Sequence, residues 1–135
     1  MLAQLRMLIR QMPYIGDYHA LCLDDIRQTV AALPDARGGA LTMAAADHLH
    51  AAVEANSTAA NPAAAYQALG KALEALIRAA AEDGDAGYRS ELERAAFSFA
   101  RRQSVRERIW FKDTGFDPRP EDLPDLEEAF GAATA

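Results

Sequence analysis

Three groups of residues carry types and spacings that could do chemistry. The first is "DHLHAAVE", where Asp47, His50 and Glu54 fall at i, i+3 and i+7. On a helix that spacing turns the three side chains toward one face, and histidines with carboxylates are the usual donors of metal sites in helical bundles. With His19 they would make a mononuclear site and imply a metal-dependent enzyme. A dinuclear site needs donors from four helices. Here the first expected helix has neither histidine nor acid, and the fourth and fifth have no histidine. The expectation is therefore no metal and no cofactor.

The second group is the lone thiol, Cys22. It lies on an apolar helical stripe, where a thiol is inert packing, and no motif for a nucleophilic serine, a phosphate loop or a dinucleotide accompanies it. The adjacent acid pairs Asp24–Asp25, Glu82–Asp83 and Glu127–Glu128 point about 100° apart on a helix, which suits solvated faces rather than acid–base dyads.

The third group is "SVRERIWFKDTGFDPRP", residues 104 to 120, which holds the only tryptophan. Residues 89 to 112 carry seven bases against three acids, while the chain from Asp113 onward carries seven acids and one base. Arginines beside large aromatics have the composition of interaction surfaces. Arg101, Arg102, Arg106, Arg108, Trp110, Phe111 and Lys112 form the candidate partner-binding face, together with the acidic tail. Three readings compete. Trp110 and Phe111 plug the end of the bundle while the tail folds back on the arginines. Or the face docks another protein. Or the arginines track phosphates and Trp110 stacks on a base in nucleic acid. The pI of 5.0 counts against the last.

The elements that would position these groups are helices. Of 135 residues, 31 are alanine, and valine occurs only three times. Alanine and leucine lead the helix scale, whereas strands favour β-branched residues. The expected fold is all-α: a compact bundle of five to six helices over residues 1–116, followed by an acidic C-terminal tail, 117–135, with one short helix at most. The first helix carries Leu2, Leu5, Ile9 and Met12 on one face and stops at Pro13, with Gly16 as the pivot of a connector. Asp17 is the expected cap of the second helix, Thr42 of the third and Asn61 of the fourth. Gly70 marks a close helix crossing. Ser90–Glu93 and Ser104–Glu107 read as capping boxes that start a fifth helix and restart it.

One cysteine permits no internal disulfide and suits a reducing compartment, so the expected location is the cytoplasm. No run is long and apolar enough for a membrane span, and the opening residues do not read as a secretory signal. So much alanine leaves a thin core that a neighbour would complete, with Leu2, Leu5, Ile9 and Met12 as its face. The functional expectation is a non-enzymatic protein-interaction module and homodimer. Nucleic-acid association and metal-dependent catalysis are the alternatives.

Overall fold

The computed structural model describes residues 2–58 and 60–131, so the last four residues of the tail, 132–135, lie outside the described residues. Five helices of ten residues or more make an all-α bundle: α1 (Leu2–Gln11), α2 (Ile15–Ala31), α3 (Ala40–Ala55), α4 (Pro62–Asp83) and α5 (Ala86–Trp110). A five-residue helix, α6 (Leu126–Phe130), follows, and 3-10 turns occupy Met12–Tyr14, Lys112–Thr114 and Pro120–Asp122. There is no β-strand among the described residues. One isolated bridge joins Gly38 to Gly84.

The long helix α4 is the centre, with α3 and α2 packed along it and α5 closing the group. Its start was legible: the Asn61 side chain accepts from the Ala64 N–H at 3.2 Å, and Pro62 fills the first turn, where its missing N–H costs nothing. Its buried face alternates leucine with alanine: Ala65, Leu69, Ala72, Leu73, Leu76 and Ala80. Ala46 of α3 is also buried, so small side chains let the helices approach where leucines would hold them apart. Tyr88 and Leu92 of α5 and Leu23, Ile26 and Val30 of α2 complete this main cluster.

A second cluster stands apart at the other end of the same two helices. Ile109 and Trp110 of α5 meet Leu123, Leu126 and Phe130 of the tail, with Tyr14, Tyr18 and Leu21 packed against them.

Several local expectations are corrected. Pro13 does not open a connector. It sits in the first turn of the 3-10 segment, which runs straight into α2, so Gly16 is helical and Asp17 lies inside the helix rather than at its cap. Thr42 is also inside its helix, and α3 begins at Ala40. Ser90 and Ser104 are helical, because nothing from Tyr88 to Trp110 is glycine or proline and α5 runs unbroken. A side chain at Gly70 would meet nothing within 4 Å, so no helix crosses closely there.

The close approach occurs at Gly38 and Gly39. A Cβ on Gly38 would lie 2.7 Å from the Gly84 Cα, and one on Gly39 would collide with the Asp83 carboxylate. That space lets Asp83, at the C-terminal end of α4, reach the N-terminus of α3. Its carboxylate accepts from the Leu41 N–H at 2.8 Å, the Thr42 N–H at 2.9 Å and the Thr42 hydroxyl at 2.6 Å. The cap of α3 is therefore supplied by its antiparallel neighbour, satisfying amides that a helix start leaves open. The Thr42 hydroxyl bond, helped by the two backbone bonds, holds the Asp83 carboxyl below the usual carboxylate range against the opposing effect of burial.

Candidate interaction site

The basic segment of α5 is spent largely inside the molecule. Arg102 makes a fork to the Asp25 carboxylate, with Nε and Nη2 at 3.0 to 3.1 Å, and Nη2 also donates to the Thr29 hydroxyl. Arg106 reaches the same carboxylate at 2.6 Å. Burial alone would raise the Asp25 carboxyl, but the hydrogen bonds from Arg102 and Arg106 prevail and hold it below its ordinary value. This clasp ties α2 to α5 and lines one side of an open groove of about 600 Å³, with Ile109 and Phe130 along the apolar part. Asp25 and the two arginines neutralise one another here, while Asp24, also on the groove, accepts from the Gln28 amide at 2.8 Å.

Further along, Arg108 forks onto Asp117 at 2.8 and 3.0 Å, and Lys112 donates to Asp125 at 2.9 Å and to the Leu123 carbonyl at 3.0 Å. The Arg108 hydrogen bond lowers the Asp117 carboxyl, and the Lys112 bond lowers that of Asp125. From α1, Arg10 donates to Asp113 at 2.7 Å and to Glu127 at 3.4 Å. The described part of the acidic tail thus folds back on three cations.

Trp110, placed by the sequence analysis among the partner-binding residues, is only 8% exposed. Its ring stacks on Tyr18 at 4.5 Å and 15°, and Phe130 stands edge-on to both, at 5.5 and 5.6 Å. With the tail in place, the ring is covered by the Tyr18 face and by tail residues. Of the remaining candidates, Arg101 and Phe111 are exposed, while Arg102, Arg106, Arg108 and Lys112 carry the ion pairs just described.

The metal candidates do not converge. Asp47, His50 and Glu54 are exposed on α3, while His19 lies on α2, edge-on to Tyr18 at 5.4 Å. Among the described residues, no three histidine, cysteine or acidic side chains form a group that could hold a metal ion. Cys22 is a buried free thiol.

A run of exposed apolar side chains lies on α1 and the turn after it, while Leu41, Met43, Phe97 and Val105 are exposed on other helices. Met7 and Gln11 face the body, where Gln11 is buried and donates to the Trp110 carbonyl at 2.7 Å. At about 100° per residue the opposite side carries Leu5, Leu8, Ile9 and Met12. These four are 49%, 52%, 65% and 66% exposed, and Leu2 is 72%. The helix is inverted: a polar glutamine and an ion-paired arginine bind it to the protein, and leucines, isoleucine and methionine face solvent. Beside it lies a cleft of about 370 Å³ between α1 and the 3-10 turn at 112–114, lined partly by Met7, Phe111 and Phe116. Phe116 is 90% exposed. Sequence reasoning named the stripe but missed Gln11 and Phe116. A glutamine on a helix gives no sign of which way it faces until Trp110 is seen behind it.

Among the described residues, no helix is long and apolar enough to cross a membrane. Compared with known proteins, the chain matches no protein-family model, no curated protein and no solved structure.

Proposed function

We propose that the protein is a non-enzymatic helical interaction module, a regulatory, adaptor or assembly subunit, that docks another protein chain through α1. The first such chain is a second copy of itself. The observation that carries this reading is the inverted helix. Five large apolar side chains stand on a face turned away from the body. At their exposures they amount to on the order of 600 Å² of apolar surface, near the upper end of the largest patches on ordinary monomers. A standard interface takes roughly 800 Å² from each partner, so this patch would be the greater part of one.

A two-fold pairing would set the ridge of each copy against that of the other, as isologous interfaces require. Nucleic acid is disfavoured because Arg102, Arg106, Arg108 and Lys112 are already neutralised. A cytoplasmic setting belongs to the same reading, supported by the single, unpaired Cys22.

Light scattering at micromolar concentration tests it. The wild type is expected at twice the 14.6 kDa chain mass, and the Leu5→Gln, Ile9→Gln double variant at one chain mass. A monomeric wild type rejects the homodimer, and a double variant that stays dimeric rejects α1 as the face.

A further inference from the structure

The tail is seated in its groove the way a bound peptide would be. Leu123 enters from an extended stretch, and Leu126 and Phe130, one turn apart on α6, follow it, so the tail sets three apolar anchors into the groove. Beneath it lie Tyr14, Tyr18 and Leu21 from around α2 and Ile109 and Trp110 from α5, the Tyr18 and Trp110 rings stacked on each other. The groove's rim is cationic: Lys112 holds Asp125, and Arg10 holds Glu127. Apolar anchors below and acids along the rim match the wall and its charge one for one.

Three features make this occupant separable from the fold. The cluster it completes is distinct from the main one. Its helix has five residues, far below the roughly 12 to 15 at which an isolated helix begins to persist in water, so the groove orders it. It is joined to α5 through a turn at Gly115, in the left-handed region at φ 79°, and by the prolines at 118 and 120, which do not continue a helix. Arg108 pins that connector through Asp117, whose side chain is only 7% exposed.

We propose that the groove between α2 and the end of α5 is a receptor for an acidic segment of a partner protein, of pattern Leu-x-x-Leu-x-x-x-Phe flanked by carboxylates, extended at the first leucine and helical from the second to the phenylalanine, and that residues 118–131 are its resident competitor. The partner takes the place of the tail, and displacement frees the acidic segment. This surface is independent of the α1 face, and neither proposal needs the other.

A tethered occupant has an effective concentration on the order of millimolar, so a free competitor binds the closed protein poorly. The test uses the full chain and a fluorescent synthetic peptide of residues 118–131, followed by anisotropy and by the emission of Trp110. Two variants weaken the resident tail differently: Phe130→Ala removes its deepest anchor, and Asp125→Lys with Glu127→Lys reverses its rim charges. Both are expected to bind the peptide at least about tenfold more tightly than the wild type does. The Trp110 emission, shifted red when the tail is loosened, should return as peptide fills the groove. A peptide lacking the phenylalanine side chain should fail on all three proteins. The proposal is overturned if both variants keep their helical circular dichroism and neither binds the peptide. It is equally overturned if both variants unfold, since the tail is then an integral part of the fold. A wild-type dimer that Phe130→Ala alone dissolves would make the occupant the tail of a second copy and overturn the partner form.

Discussion

The cluster around Leu69, Leu76 and Tyr88 and the cluster around Trp110 and Phe130 share two helices, α2 and α5, but are closed by different means. The first is closed by leucine packed over alanine along α3 and α4, with one carboxylate, Asp83, clasping the far end. The second is closed by an aromatic sandwich and a five-residue helix held by exposed or half-exposed ion pairs, which are worth roughly 0–1 kcal/mol each. One pair of helices therefore carries a core that is present whenever the chain is folded and a second core that depends on the tail.

The largest test of that difference is a pair of truncations. Leu76→Ala removes a side chain that is 1% exposed at the centre of the main cluster and should cost about 2–5 kcal/mol, with helicity and Trp110 emission lost in one transition. Phe130→Ala removes a similarly buried ring from the second cluster. It should shift Trp110 emission at room temperature while the helical midpoint moves much less. Thermal melts followed by circular dichroism and fluorescence check both. Equal loss of helical midpoint in the two variants would break the comparison.

Acid offers a smaller perturbation with a definite sign. Asp25, Asp83, Asp117 and Asp125 are all held below their ordinary value of 3.8 in the folded chain. A carboxyl with a lowered folded value adds stability that is complete above the unfolded value. That stability fades as the pH falls through the folded one. The window therefore lies below about pH 4. Only Asp83 serves the main cluster, whereas Asp117 and Asp125 hold the tail and Asp25 joins α2 to α5 beside it. An acid titration should move Trp110 emission before helicity. Simultaneous loss of both signals would show that the two clusters do not separate under acid.

Sequence reasoning reached the first cluster further than the second. The leucine–alanine stripe of α4 and the Asn61–Pro62 start are local patterns, and local patterns survive into the fold. The capping boxes at Ser90 and Ser104 were equally local and did not survive. A box marks a start only where the preceding residues cannot be helical, and α5 begins earlier, at Ala86. The α3 cap is the opposite case: Gly39 and Asp83 lie far apart in sequence, and only the packed hairpin brings them together. For the second cluster, charge segregation pointed to the right segment, since the bases at 102 to 112 do meet acids. It could not say whether those acids belong to this chain. The Asp25 partner of Arg102 and Arg106 lies on α2, more than 70 residues away, and no spacing rule reaches it.

The smallest expected effect concerns α1, which contributes to neither cluster. Its apolar face touches neither, so the stability of the single chain should be almost blind to it. Replacing Leu5 and Ile9 with glutamine exchanges two half-exposed apolar side chains for polar ones of similar length and good helix propensity. Surface changes of that kind usually stay within about 0.5 kcal/mol. Measured at a concentration low enough for monomers, the melting midpoint of the double variant should match that of the wild type. At high concentration the two should diverge, because only the wild type gains stability by association, which rises with the amount of partner present. If the double variant melts lower by the same margin at every concentration, α1 is held by its apolar face after all. Its outward stripe would then be part of the fold instead of a surface for another chain.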